Sequence, residues 1–256
     1  MLFGLLDKWR APAPDPEKVG WLGSVGYAHR GLHLPGVPEN SLSAFRDAIG
    51  RGMGIECDVQ RSADGQAMVF HDFELDRLTA ESGPLGQRNA DDLARIELAG
   101  SHDRIPTLRR MLDEVAGRVP ILIEIKSRRG SFKHAGALCQ AVRRTLEGYT
   151  GPHAVMSFDP RVVRWFADRS PMTVRGLVVT EEDDKALPGM IRRHLFLWKA
   201  RPDFLAYDIR DLPSRFAARQ RARGLPVLSW TVRSAEHRER AAEHADAPIA
   251  EGAGIP

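Results

Sequence analysis

A (β/α)8 barrel, the TIM-barrel class of α/β folds, is what this sequence predicts, and three observations predict it. Short apolar runs alternate with segments of helical spacing along most of the chain, which argues for a parallel sheet. Seven or eight such units fit within 256 residues, the size of one closed barrel rather than an open sheet. Charged side chains collect at the C-terminal ends of the apolar runs, the end where a barrel carries its chemistry.

The elements follow in order. Apolar runs read as strands lie at Val25–Ala28, Gly54–Val59, Met68–Phe70, Ile121–Ile125, Ala154–Met156, Val174–Val179, Phe204–Tyr207 and Val227–Trp230. Helical spacing marks Ser41–Ile49, which opens on a capping serine, and Thr107–Val115, which follows a proline. It also marks Phe132–Leu146, Arg161–Asp168, Pro213–Arg223 and Ala235–His244. Residues 73 to 105 include the polar stretch ESGPLGQRNADD and read as a short insertion after the second strand unit. Near the end, ADAPIAEGAGIP carries Pro248 inside the last strand and leaves no final helix, so a truncated C-terminal end is expected. The domain reading is an N-terminal arm, 1–20, and a single barrel domain, 21–256.

Composition narrows the class. A net charge of +3, with arginines spread along the chain, gives no basic block for nucleic acid. Cys57 and Cys139 are the only cysteines, and neither belongs to a CxxC pair. No GxGxxG or GxxxxGK[ST] follows an early strand, which removes the usual signature of a nucleotide-binding sheet. The apolar run in MLFGLLDKWRAPAPDP is too short for a signal peptide or a transmembrane segment. It reads as a short amphipathic helix packed on the domain, with weak contact at a membrane surface as the alternative. A cytoplasmic location is the expectation.

The strand ends carry the functional argument. The first run ends in His29 and Arg30; the second holds Glu56 and Asp58, two apart and so on one face. The third is followed by His71 and Asp72, and ILIEIKS places Glu124 and Lys126 two apart. VLSWTV puts Trp230 in the same layer. Three carboxylates at one barrel mouth repel unless a cation sits among them. Their hard oxygens favour Mg²⁺ or Ca²⁺ over zinc. His29 and His71 suit general acid and general base, and Arg30 and Lys126 suit a phosphate anion. Together these describe phosphoryl chemistry.

The ordered set AHRG, PEN, GIECDVQRSADGQAMVFHDFELDRLT, IPTL and ILIEIK resembles the glycerophosphodiester phosphodiesterases. The match is close from Tyr27 to Lys126 and looser through MSFDP, GLVV and LSWTV. The resemblance implies a TIM barrel, a divalent cation, and hydrolysis of a glycerophosphodiester to an alcohol and glycerol 3-phosphate. It gives His29 and His71 as the acid/base pair and Glu56, Asp58 and Glu124 as metal ligands. It gives Arg30 and Lys126 as phosphate contacts and Trp230 as an aromatic beside the glycerol moiety. Glu39 and Asn40 match the PEN turn, with a supporting role in fixing the His29–Arg30 loop. Cys57, between the two acidic residues of its strand, faces the other way and reads as core. Two alternatives stay open. One is a lysophospholipase D-type phosphodiesterase, which needs an apolar acyl site; the other is a non-catalytic phosphodiester-binding barrel.

Overall fold

The computed structural model describes residues 2–128, 130, 132–181 and 185–256. They form two compact units: Tyr27–His153, and residues 1–26 together with 154–256. The chain opens with helices α1 (Leu2–Arg10) and α2 (Pro16–Val19), which belong to the second of these units.

In the unit Tyr27–His153, β1 (Tyr27–Ala28) leads through a loop to α3 (Leu42–Gly50). Ser41 caps this helix, its hydroxyl accepting from the Ala44 amide at 3.1 Å. Strands β2 (Gly54–Arg61) and β3 (Ala67–Val69) follow, then a one-turn α4 (Ala90–Leu93) and α5 (Leu108–Val115), capped by Thr107. Strand β4 (Ile121–Ile125) and helix α6 (Lys133–Leu146) complete the unit. β2 is the organising strand, pairing in parallel with β1 and with β4 and antiparallel with β3. It is buried on both faces over Gly54–Gln60, so any charge it carries needs a partner. Gly54 allows the β1 contact: a Cβ there would meet the Tyr27 ring at 2.5 Å. The polar stretch after β3 is an ordered excursion with its own apolar centre, where Leu75, Leu85, Leu93 and Ile105 pack with Met68 and Phe70.

In the other unit, β5 (His153–Ser157), α7 (Pro160–Arg169), β6 (Val174–Val179), α8 (Leu187–Ala200) and β7 (Phe204–Asp208) alternate. Then come α9 (Arg215–Ala222), β8 (Val227–Val232), α10 (Ala235–His244) and β9 (Ala247–Ala250). β5 to β9 pair in parallel in sequence order. Leu177, Leu205, Tyr207 and Val227 form part of the apolar core, and the helices close over it with Leu197 and Phe216.

Three sequence expectations change. The run at Met68–Phe70 is an antiparallel partner of β2, not one of the parallel set. The eighth parallel strand is β9, which Pro248 does not interrupt: Ser229 pairs with Pro248, and the register shifts between Ser229 and Val232. An irregular register is where a strand tolerates a residue without an N–H. The third change is α8, a full helix between β6 and β7. No helical spacing marked it in the sequence; its Pro188 stands at the first helical positions, where proline removes no needed hydrogen bond.

Candidate active site

Register builds the centre. Asp58 on β2 lies beside Glu124 on β4, and Glu56 stands one side-chain step earlier on the same face of β2. One oxygen from each of Glu56, Asp58 and Glu124 lies within 4.8 Å of the others, and all three residues are buried. Burial raises the Glu56 carboxyl well above its usual range, and the neighbouring Asp58 and Glu124 charges push it further. Burial works in the same direction on Asp58, but Lys126, Arg30 and His71 outweigh it and hold this carboxyl below the usual range. The set is thus short of positive charge at Glu56. Three hard oxygen donors converging on that deficit fit Mg²⁺ or Ca²⁺, and all three carboxylates would serve as ligands.

Cationic side chains ring the acids. Lys126 Nζ lies 2.7 Å from Glu124 Oε1 and 2.8 Å from Asp58 Oδ1. Burial disfavours the ammonium, yet Asp58 and Glu124 keep its pKa above the ordinary lysine range. Arg30 Nη1 donates to Glu39 at 2.8 Å, and its Nε lies 3.2 Å from Asp58. The Arg30 backbone N–H donates to Glu56 Oε2 at 3.0 Å, and His29 Nε2 stands 4.0 Å from the same oxygen.

The Pro38–Ser41 turn ties these pieces together. Asn40 donates to Asp58 Oδ2 at 2.9 Å and accepts from the Asp58 backbone N–H at 3.2 Å. Its own N–H donates to the Arg30 carbonyl at 2.8 Å. Arg30 and Asn40 both sit in left-handed backbone, with φ of 57° and 58°, a conformation that non-glycine residues keep only where surroundings impose it. Ser41 caps α3 at the same turn.

His71 joins the set through residues to which the sequence assigned no role. Its Nδ1 is 2.6 Å from Asp72 Oδ1. Arg77 donates from Nε to Asp72 Oδ2 at 2.5 Å and from Nη2 to Glu39 Oε1 at 2.8 Å. Asp72 and Arg77 therefore link His71 to the turn that holds Arg30. Gln60 Nε2 also donates to the His71 carbonyl at 2.9 Å. An Asp directly after a strand-end His was the available signal for Asp72; Arg77 had none. Trp230 belongs to the other unit, on β8, where its Nε1 donates to the Ala206 carbonyl at 2.9 Å. The Phe158 ring meets it edge-on at 5.3 Å. Cys57 is fully buried on the face of β2 opposite the acids, where burial pushes its thiol pKa up.

Two imidazoles, two cationic side chains and three carboxylates are groups on which phosphoric diester hydrolysis could run. The glycerophosphoryl diester phosphodiesterase family model matches residues 29–249, and the chain belongs to that family. YhdW of Bacillus subtilis (strain 168) is 28% identical over 217 residues, covering 80% of this chain and 84% of its own length. A glycerophosphodiester phosphodiesterase of Bacillus altitudinis is 32% identical over 130 residues, 48% of this chain and 52% of that protein. The chain thus spans about half of this second relative. A solved Oleispira antarctica phosphodiesterase, in complex with the product sn-glycerol-3-phosphate, superimposes with a TM-score of 0.75 at 21% identity. It covers 88% of this chain and 92% of its own, and that likeness shows the TIM-barrel fold.

Proposed function

We propose that the protein hydrolyses glycerophosphodiesters to an alcohol and glycerol 3-phosphate, with His29 and His71 as its acid/base pair. The observation that carries this reading is one connected cluster holding three buried carboxylates, Arg30, Lys126 and His29, to which Asp72 and Arg77 join His71. A divalent cation held by Glu56, Asp58 and Glu124 would add Lewis-acid stabilisation of charge on a phosphate oxygen. Arg30 and Lys126 neutralise the remaining phosphate charge. One histidine takes the proton of the nucleophile, water or the glycerol hydroxyl beside the phosphate, and the other gives a proton to the departing alcohol. Attack by the hydroxyl leaves a cyclic phosphate that water then opens to glycerol 3-phosphate. Asp72, bonded to the Nδ1 of His71, leaves its Nε2 for that transfer. Asn40 and Glu39 fix the strand end that bears His29 and Arg30.

The relatives' names and the product in the Oleispira structure support this substrate class. No helix among the described residues is long and apolar enough to cross a membrane. A cytoplasmic site of action belongs to the same proposal, in keeping with two buried cysteines that no disulfide joins. The test is incubation of purified protein with glycerophosphocholine in Mg²⁺, in Ca²⁺ and in chelator, reading released glycerol 3-phosphate. Metal-dependent release supports the assignment. A folded, metal-loaded protein that releases nothing would overturn it, and release from lysophosphatidylcholine alone would replace it with the lysophospholipase D reading.

A further inference from the structure

Helix α1 encloses a carboxylate and leaves part of its apolar surface outside. Surface helices bury their apolar face and expose the polar one. Here the buried residue is Asp7, fully enclosed, while Leu5 and Trp9 are 68% and 70% exposed. The enclosed carboxylate is well met: His194 Nδ1 and Trp198 Nε1 of α8 each lie 2.8 Å from Oδ1, and Gln220 of α9 donates to Oδ2 at 2.8 Å. Phe3 stacks on the His194 ring at 4.4 Å. A polar anchor thus holds α1 against the fold and turns an indole and a leucine outward.

Helix α8 does the same on the side it offers to solvent. Leu187, Ile191 and Leu195 recur every fourth residue, with Phe196 beside them, and all four are exposed. Leu195 and Phe196 lie within one turn of His194 and Trp198, the residues that hold α1. Leu5 and Trp9 lie within one turn of Asp7. Interspersed with this apolar surface are the exposed cations Lys8 and Arg10 of α1 and Arg192 and Lys199 of α8. Asp7 is the only acid in either helix, and it is buried. The acidic residues 182–184 precede α8 and lie outside the described residues.

We propose that the outer faces of α1 and α8 form a docking surface for an anionic lipid bilayer. Aromatic and aliphatic side chains that sink to the headgroup level, rimmed by Lys and Arg, are what an interfacial element requires. Charge selects the occupant. A second copy of the chain would bring Lys8, Arg10 and Lys199 against the same cations with no exposed acid on either helix, whereas anionic headgroups pair with all three.

The test is co-sedimentation of the full chain with vesicles of mixed phosphatidylglycerol and phosphatidylcholine, and with phosphatidylcholine alone. Binding to the mixed vesicles at about 0.15 M salt should exceed binding to phosphatidylcholine by about tenfold or more, and fall steeply toward about 1 M. The double variant W9E/L195E, and separately K8E/R10E, should each lose about tenfold in vesicle binding while keeping the wild-type circular dichroism and thermal midpoint. Absence of wild-type binding to the mixed vesicles would overturn the proposal, as would undiminished binding by both variants. A wild-type dimer that W9E/L195E converts to monomer would assign the surface to self-association instead. None of these readouts depends on the hydrolytic activity.

Discussion

Asp58 is held by three side chains of the centre. Asn40, Arg30 and Lys126 all approach its two oxygens, and the strand hydrogen bonds of β2 fix its backbone. His71, by contrast, is held by one strong contact, the 2.6 Å bond to Asp72. Two predictions of different size follow for that pair. His71→Ala should lower kcat/KM toward glycerophosphocholine by about 10²–10⁴, the span of a lost acid or base. Asp72→Asn keeps the shape but removes the anion, and should cost about tenfold by loosening the ring and its tautomer. Steady-state kinetics on the double variant decide whether they act as a unit: it should be no slower than His71→Ala alone. Strictly multiplicative losses would separate Asp72 from His71. Glu56, Asp58 and Glu124 were legible because strand alternation places every second residue on one face. Asp72 and Arg77 were not, since they lie in a loop where no periodicity announces which side chains meet.

Strands with matched neighbours were legible, and those that depend on tertiary pairing were not. Ile121–Ile125 and Val174–Val179 coincide with the apolar runs in sequence, because a strand buried on both faces is a short continuous apolar block. The run around Met68 has the same composition as a parallel strand, and only its antiparallel register with Val59–Arg61 distinguishes it. Helix α1 was readable as amphipathic, but the burial of Asp7 was not, because it depends on His194, Trp198 and Gln220, far away in sequence. Burial alone would raise the Asp7 carboxyl, but hydrogen bonds from His194, Gln220 and Trp198 hold it below the usual range. A depressed folded value contributes stability that is present above the unfolded value of about 3.9 and is lost as pH falls through the folded one. Denaturant unfolding below pH about 4 should therefore show a stability loss that Asp7→Ala lacks. At neutral pH that variant should be less stable by about 3–5 kcal/mol, because it strands buried donors and a histidine without their acceptor. An unchanged midpoint would mean that α1 adds nothing to the fold.

At the scale of the whole molecule, the family match covers residues 29–249, yet every charged group of the proposed centre falls between His29 and Lys126. A cation bound there couples to the folded state of a 256-residue chain through one side-chain cluster. A ligand that binds only the native state at about a hundred times its Kd adds about 2.7 kcal/mol. For a chain of this size that moves the thermal midpoint by about 5–10 °C. The protonation of Glu56 gives the effect a pH signature. Its folded pKa is raised, so without metal its contribution to stability is full below the unfolded value of about 4.3 and is lost as pH rises through the folded value. A divalent cation needs the ionised carboxylate and reverses that loss. The gap between metal-loaded and chelator-treated midpoints should thus widen as pH rises from about 5 to 8, with protons released on binding. Differential scanning calorimetry in Mg²⁺, in Ca²⁺ and in chelator reads the gap directly. Glu56→Gln removes both the ligand charge and the titrating group, and should abolish the shift and its pH dependence together. A shift that survives in Glu56→Gln would place the cation on other ligands.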